Sequence, residues 1–213
     1  MNIISINIGH QQLLKVGDHI DKTGIFKDPA AGDVVVTEKG LPEDYIFSKK
    51  HHGGPDQAIY IYGSIDYDWW KLELGRKLLP GTFGENLTIE GLESSGFSIG
   101  DRLEIGQVIL EVTAPRIPCS TLSARMEDTE FISRYRQAVR PGLYCRVILP
   151  GTIQAGQPVF LQEYNGEKVT ISELFQAYYE QNLAKGLIQR FLKAPLAVRW
   201  REKQEKLIER FPA

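Results

Sequence analysis

The sequence predicts a mainly β protein, an antiparallel barrel or sandwich, that ends in a small appendix of three short helices. Two observations predict this fold. Up to about residue 164, short runs alternate apolar and polar residues between Gly, Asp and Pro turns, which is typical of antiparallel strands. Beyond residue 165 the apolar residues follow helical spacing instead. We therefore expect a β domain at 1–164 and a three-helix domain at 165–213.

Alternating runs predict the individual strands. They are residues 4–8, where isoleucines alternate with Ser5 and Asn7; residues 103–112, which a Gly106-Gln107 turn divides into a hairpin; and residues 143–149. Cys145 lies on the apolar face of the last run, so it is predicted to be a core residue. Arg146 follows it on the opposite face, and the two are not expected to share a role.

Helix-terminus signals predict where the helices begin and end. Ser64 is a candidate N-cap of a helix that Gly75 would close. In the C-terminal region, Thr170 and Glu173 form a capping-box pattern that predicts the first of the three helices. Pro195 marks the start of the third helix. Three helices this short are not stable alone, so they must pack on the β domain, on a second subunit or over a site.

Bulk properties exclude several classes of protein. The chain has 213 residues and a formal net charge of −2, so no global field recruits nucleic acid or an acidic membrane. No apolar run approaches the length of a membrane span, and the N-terminus lacks the pattern of a signal peptide. Two cysteines are too few for a disulfide scaffold, which favours a reducing cytoplasm. We expect no nucleic acid partner and no membrane partner.

Cys119 is the strongest candidate functional residue. The strand-like run 108–112 leads into Thr113-Ala114-Pro115-Arg116-Ile117-Pro118-Cys119, a turn stiffened by two prolines. A thiol on such a turn, three residues after an arginine, is in surroundings that lower a thiol pKa and suit a nucleophile or metal ligand. A buried, inert cysteine is the alternative, and a bridge to Cys145 remains open.

Three further clusters carry polar or glycine-rich patterns. They are 22–27 (KTGIFK), 49–57 (KKHHGGPDQ) and 80–88 (PGTFGENLT). Paired glycines beside lysines let backbone N–H groups approach an anion, and His52 and Asp56 could add hydrogen bonds. Taken alone, each cluster is also explained by an ordinary surface turn or a hairpin entry, which is the simpler interpretation of 49–57 and 80–88. Adjacent His51 and His52 would point to opposite faces of a strand and are poor zinc partners.

Taken in order, these clusters resemble the MOSC-domain family, in particular its YiiM-type members. The matching segments are 22–25 (KTGI), 40–41 (GL), 52–58 (HGGPDQA), 83–87 (FGENL), 100–101 (GD), 115–119 (PRIPC) and 142–144 (GLY). The C-terminal helices resemble the small three-helix domain of this subgroup. Two positions depart from the family pattern. The family usually has Gly-Asp soon after its Gly-Leu pair, whereas Pro42-Glu43-Asp44 keeps the Asp but not the Gly, and Gln57 stands where relatives often carry Arg.

The resemblance implies a closed, mostly antiparallel β-barrel that binds the molybdenum cofactor, a mononuclear molybdopterin-type pterin dithiolene with a phosphate. It also implies an oxidoreductase that reduces and so detoxifies small N-hydroxylated compounds such as hydroxylamino-purines. Pyridoxal phosphate plays no part in this chemistry. A soft thiolate such as Cys119 suits an oxo-molybdenum centre already bound by sulfur.

The resemblance assigns roles residue by residue. Cys119 is the expected molybdenum ligand, and His52 is the candidate proton donor, because its charge can change near neutral pH. Arg116 and Lys50 would offset the negative charge of the cofactor. The residues expected to bind the cofactor are Lys22, Thr23, Lys50, His52, Gly53, Gly54, Asp56, Gln57, Phe83, Gly84, Glu85, Asn86 and Arg116.

The sequence also predicts an electron-donating partner and leaves other functions open. No Rossmann fingerprint and no iron–sulfur cysteine set is present, so electrons are expected from a separate reductase protein. One alternative is a cofactor carrier or sulfur-transfer module, and another is a binding protein for a different phosphorylated ligand. The tail is either a packing appendix, with a homodimer left open, or a lid or docking surface for the electron donor, with Trp200 among Arg199, Arg201 and Lys203.

Overall fold

The structure is a computed structural model that describes residues 1–47 and 53–211. Its strands are β1 (Ile3–Gly9), β2 (Gln12–Val16), β3 (His19–Thr23), β4 (Lys27–Pro29), β5 (Val34–Val36), β6 (Ile59–Gly63), β7 (Leu87–Ile89), β8 (Arg102–Ile105), β9 (Val108–Pro115), β10 (Leu143–Leu149), β11 (Gly151–Ile153) and β12 (Phe160–Gln162). Its helices are α1 (Ser64–Leu74), α2 (Ser120–Met126), α3 (Phe131–Ala138), α4 (Ile171–Ala177), α5 (Lys185–Leu192) and α6 (Val198–Ile208), with short 3-10 turns at Pro55–Gln57 and Ser94–Gly96.

Eight strands form the main sheet, in the order β12-β8-β9-β10-β6-β7-β1-β4, beside two smaller sheets, β11-β5 and β2-β3. All pairs in the main sheet are antiparallel except β6 and β7, which run parallel. The start of β1, which is next to the edge strand β4, approaches the opposite edge of this sheet, where Asn2 bridges Pro158 just before β12. The expected closed antiparallel barrel is nevertheless not confirmed, since the described strands of the main sheet form an open ladder between two edge strands.

The hairpin β8–β9 and strand β10 follow their predicted patterns. Gly106 has a φ of 58° and makes the turn between β8 and β9, as the Gly106-Gln107 signal predicts. Cys145 on β10 is fully buried and Arg146 is half-exposed, which confirms that they face opposite ways. No disulfide joins Cys119 to Cys145.

Strand β1 departs from simple alternation. Ile6 and Ile8 are buried as expected, but Ile4 is 45% exposed, whereas the polar Ser5 and Asn7 are buried. The inversion has a hydrogen-bonding cause. The Ser5 hydroxyl donates to Asn7 Oδ1 (2.6 Å), and Asn7 Nδ2 donates to Thr88 Oγ1 (3.1 Å) on the neighbouring strand β7. Both side chains are therefore satisfied without water.

Helix α1 packs on the sheet through aromatic side chains. Trp70 is fully buried and donates its indole N–H to the Tyr62 hydroxyl (2.7 Å). Phe83 stacks on Tyr62 with ring centroids 4.5 Å apart. The helix starts one residue earlier than the cap signal suggests, because Gly63 is the N-cap and Ser64 is already helical. Gly75 ends it in the left-handed conformation, as predicted.

The three C-terminal helices pack against the sheet. Thr170 caps α4 by accepting a hydrogen bond from the Glu173 N–H (3.2 Å), which confirms the predicted cap. Arg146 on β10 donates to the Pro195 and Leu196 carbonyls (3.2 Å each), just before α6. Buried side chains of these helices belong to the same apolar core as the sheet. The helices therefore pack on the β domain, while their role as a lid or docking surface and the domain boundary at residue 164 stay predictions.

Within the described residues, no helix combines the length and apolarity that a bilayer crossing requires.

Candidate active site

A cavity of about 670 Å³ opens beside the end of β9. Its wall combines loops of the sheet with the C-terminal helices. The lining comprises residues 21–25, Lys27, residues 44–47, Gln57, Tyr60, Gly84, Asn86, residues 115–121, Tyr144, Tyr178, Arg199, Trp200 and Lys203. This volume is within the range of pockets that enclose drug-sized ligands.

Seven of the residues predicted from the sequence line this cavity: Lys22, Thr23, Gln57, Gly84, Asn86, Arg116 and Cys119. They come from four separate loops, so the fold gathers motifs that are distant in the chain. The predicted residues Lys50 and His52 lie outside the described residues, and their assigned roles stay predictions.

Cys119 lies where β9 gives way to α2. Pro115 ends the strand, Pro118 is buried, and Cys119 takes an extended conformation (φ −132°, ψ 169°) as the N-cap of α2. Its carbonyl accepts hydrogen bonds from the Leu122 and Ser123 N–H groups. The two prolines thus stop the sheet ladder and present a half-buried thiol at the cavity wall.

Arg116 supplies a buried positive charge next to Cys119. Its side chain donates to the Phe83 carbonyl and lies 4.8 Å from the centroid of the Tyr60 ring. Burial alone would lower the pKa of Arg116, but attraction to Tyr144, Tyr60 and Cys119 raises it above its usual value. Arg116 is 5% exposed, and its Nε has no hydrogen-bond partner in the part of the chain that the structure describes. Such a donor favours an anionic or hydrogen-bond-accepting ligand in the cavity.

Two glycines let the cavity loops approach each other closely. Gly84 has a φ of +74°, and a Cβ there would lie 3.0 Å from Ile25 Cγ1 and 3.4 Å from Arg116 Nη1. A Cβ on Gly24 would lie 1.8 Å from the Tyr45 carbonyl oxygen. Both positions therefore require glycine, which explains its presence in the KTGI and FGENL motifs.

A buried ion pair joins three of these loops. Lys27 pairs with Asp44, and their side chains are 7% and 4% exposed. Asp44 also accepts hydrogen bonds from the Gly9 N–H (2.7 Å) and Asn86 Nδ2 (2.9 Å), while Asn86 Oδ1 accepts from the Tyr60 N–H (3.0 Å). Burial lowers the pKa of Lys27, and Asp44 opposes that shift. Lys27 ends the 22–27 cluster of the sequence, but it is not among the residues expected to bind the cofactor.

Phe83 and Glu85 belong to the core rather than to the cavity wall. Both are fully buried. Glu85 Oε1 accepts hydrogen bonds from the Tyr67 hydroxyl (2.6 Å), the Gly81 N–H (2.7 Å) and the Thr88 hydroxyl (2.8 Å). Burial raises the pKa of Glu85. Phe83 and Glu85 therefore lie behind the cavity wall, where they support the loop that carries Gly84.

Asp56 likewise has structural partners. Its carboxylate pairs with Arg146 (3.0 Å) and accepts a hydrogen bond from the Val198 N–H (2.7 Å) at the start of α6. Neither Asp56 nor Gly53 nor Gly54 lines the cavity. Asp56 therefore links its 3-10 turn to the C-terminal helices in this structure.

The C-terminal helices contribute directly to the cavity. Tyr178 follows α4, and Arg199, Trp200 and Lys203 belong to α6. The described lining carries five basic side chains (Lys22, Lys27, Arg116, Arg199 and Lys203) against two acidic ones (Asp21 and Asp44). The cavity is thus positive in a chain whose net charge is −2, and it favours an anionic ligand.

Comparison with known protein families gives one match in this region. The model of the MOSC domain matches residues 48–160, which include the Gly84, Arg116 and Cys119 loops.

Several known proteins are similar over much of the chain. YflK of Bacillus subtilis (strain 168) is 32% identical over 214 residues, which cover 97% of this chain and 96% of YflK. YiiM of Escherichia coli (strain K12) is 32% identical over 142 residues, 65% of this chain and 63% of that protein. A protein from Gibberella moniliformis named reductase is 26% identical over 178 residues, 82% of this chain but 32% of its own length.

Solved structures share the fold. YiiM from Geobacillus stearothermophilus superposes with a TM-score of 0.81 at 28% identity, covering 97% of this chain and 98% of that one. YiiM from Escherichia coli gives a TM-score of 0.77 at 25% identity, with 98% and 93% covered.

Proposed function

Because the chain belongs to the MOSC-domain family and its relatives are of the YiiM type, we propose that it is a molybdenum-cofactor-dependent reductase of small N-hydroxylated compounds, hydroxylamino-purines among them. The observation that carries the proposal is the pairing of Cys119 with the buried Arg116 on one wall of a positive cavity. MOSC domains are associated with molybdenum-cofactor binding, and one relative is named a reductase.

The cavity residues fit this cofactor. Cys119 offers a thiolate, a soft ligand suited to molybdenum. The Nε of Arg116 is a buried donor with no partner among the described residues, and it would bind an oxygen of an anionic group. Lys22 and Thr23 would contact the same group from β3, while Gln57 and Asn86 would hydrogen-bond the pterin edge. The Oε1 of Gln57 has no hydrogen-bond partner within residues 1–47 and 53–211, and it is an acceptor suited to a ring N–H.

When bound, the cofactor would supply the two electrons that break an N–O bond. With two protons, this converts an N-hydroxyl group into an amine and water. The chain's own residues position the substrate, keep the site positive and deliver protons. Arg116 stays charged throughout, so it stabilises negative charge but gives up no proton. His52 remains the candidate proton donor from the sequence.

Turnover tests this proposal against the carrier alternative. Cofactor-loaded protein is given a hydroxylamino-purine and a chemically reduced dye as artificial electron donor. We expect amine product from the wild type and none from Cys119→Ser, with Cys145→Ala as the matched control that retains activity. A loaded protein that forms no product would favour a carrier or sulfur-transfer module.

A second assay addresses the electron source. NADPH alone should give no turnover, because the chain is proposed to depend on a separate reductase protein. Rapid NADPH-driven turnover by the purified chain would contradict that part of the proposal.

A further inference from the structure

The C-terminal helices form an aromatic and basic wall of the cavity, here called the helical wall: Tyr178, Arg199, Trp200 and Lys203. The Tyr178 and Trp200 rings are 5.6 Å apart, and Lys203 Nζ lies 3.8 Å from the Tyr178 centroid and 5.8 Å from that of Trp200. Arg199 and Lys203 are one helical turn apart, so they share a face of α6. The wall thus combines flat rings with two cations.

Arg199 and Lys203 differ from two neighbouring arginines in having neither a carboxylate nor a carbonyl partner among the described residues. Arg190 on α5 pairs with Glu173, and Arg201 donates to the Leu192 and Ala194 carbonyls. Among the ion pairs of the described residues, none includes Arg199 or Lys203. Partial burial lowers the pKa of Lys203, because the ammonium group loses contact with water. Neither charge is neutralised by a carboxylate among the described residues, so both are available to an anionic ligand.

The exposed fractions of the side chains show how deep each part of the helical wall lies in the cavity. Trp200 is 7% exposed and Arg116, at the loop that holds Cys119, is 5% exposed. Lys203 is half-buried, and Tyr178 and Arg199 are exposed. The Trp200 ring therefore reaches deeper than Tyr178, Arg199 and Lys203, and both cations of the helical wall lie nearer the opening than that ring. A ligand that matches this order has a flat ring inside and an anionic group at the opening.

We propose that the helical wall is a subsite for a nucleoside 5′-phosphate, so that the substrate is an N-hydroxylated base carried on a nucleotide. The inference rests on the proposed function, because it names the substrate class of the same site. The base packs against Trp200 and Tyr178 with its N-hydroxyl group toward Cys119. The phosphate binds Arg199 and Lys203 near the opening.

Kinetics and binding test the subsite together. A hydroxylamino-purine is supplied to the loaded enzyme as free base, ribonucleoside and ribonucleoside 5′-monophosphate. Binding of adenosine and AMP to the purified protein is measured in parallel by calorimetry, which needs no turnover. We expect the monophosphate to exceed the nucleoside by about tenfold or more in kcat/KM and in affinity, as a charge-assisted phosphate contact provides.

Charge-neutral variants test which side chains bind the phosphate. Arg199→Gln and Lys203→Gln should each lose most of the monophosphate preference, measured as the ratio of the monophosphate value to the nucleoside value. Lys206→Gln, an exposed lysine on the same helix outside the lining, is the matched control. Tyr178→Leu should weaken nucleoside and nucleotide equally, because it removes ring packing and leaves the charge in place.

Three outcomes separate the proposals. Equal kcat/KM for base and monophosphate would overturn the subsite and leave the reductase standing. Loss of molybdenum from Lys203→Gln, with substrate preference unchanged, would assign the cations to the phosphate of the cofactor and also overturn the subsite. Retained AMP binding without turnover of any substrate would support the subsite and reject the reductase.

Discussion

Replacing Asp44 by Asn tests the ion pair that joins the cavity loops. The Lys27 and Asp44 side chains are 7% and 4% exposed, so loss of the carboxylate leaves a buried ammonium without its counter-charge. The amide at position 44 would also place a donor against Asn86 Nδ2, which now donates to Asp44. Breaking one side of a buried pair costs about 3–5 kcal/mol of unfolding free energy. In a chain of this size that corresponds to a fall in Tm of about 6–20 °C.

Urea denaturation and a thermal melt measure this cost. Glu43→Gln, which changes an exposed neighbouring carboxylate, is the matched control and should remain within about 0.5 kcal/mol of the wild type. The double variant Lys27→Met with Asp44→Asn removes both charges and should be more stable than Asp44→Asn alone. An Asp44→Asn protein within about 1 kcal/mol of the wild type, or a double variant without recovery, would refute the reasoning.

Three more predictions follow from single contacts. Gly84→Ala should lower the unfolding free energy by about 1–3 kcal/mol, because the φ of +74° disfavours a side chain. It should also reduce the molybdenum content, because the new Cβ crowds Arg116. Calorimetry measures the first effect and metal analysis the second. Arg146→Met should make the 165–213 region more susceptible to limited proteolysis, since it removes the pair with Asp56 and two bonds to carbonyls before α6; unchanged cleavage would contradict this. Burial raises the pKa of Glu85 in the folded protein. The protonated carboxyl therefore contributes stability that is fully present below its pKa in the unfolded state and is lost as pH rises through its pKa in the folded state. In urea titrations, the unfolding free energy of Glu85→Gln relative to the wild type should therefore increase as pH rises above about 4.5.

Local patterns predicted much of the fold. The hairpin β8–β9 is readable from alternation around Gly106, and the α4 cap is readable from Thr170 and Glu173, because both signals depend on neighbouring residues. Alternation failed in β1, where Ser5 and Asn7 are buried through hydrogen bonds that only the paired strand β7 completes. Closure of the sheet depends on long-range pairing of its edge strands, which periodicity does not report.

The sequence predicted those site residues that belong to local loop motifs, but not those that long-range packing brings to the cavity. The proline-stiffened turn identified Cys119 and Arg116 from local chemistry, and both line the cavity. Asp56 had the right residue type for ligand binding, yet it pairs with Arg146, 90 positions later in the chain. The contribution of Trp200 to the cavity depends on how α6 packs against the sheet. No signal in the sequence around these residues specifies such contacts.

Molybdenum content tests the central claim most directly. The wild type, Cys119→Ser and the control Cys145→Ala are produced in a host that makes the cofactor, and molybdenum per chain is measured by mass spectrometry. We expect near-stoichiometric metal in the wild type and in Cys145→Ala, with loss in Cys119→Ser. Equal metal in Cys119→Ser would contradict the role of Cys119 as ligand. Absence of metal from folded wild type, in a host that loads another molybdoenzyme, would contradict the cofactor itself.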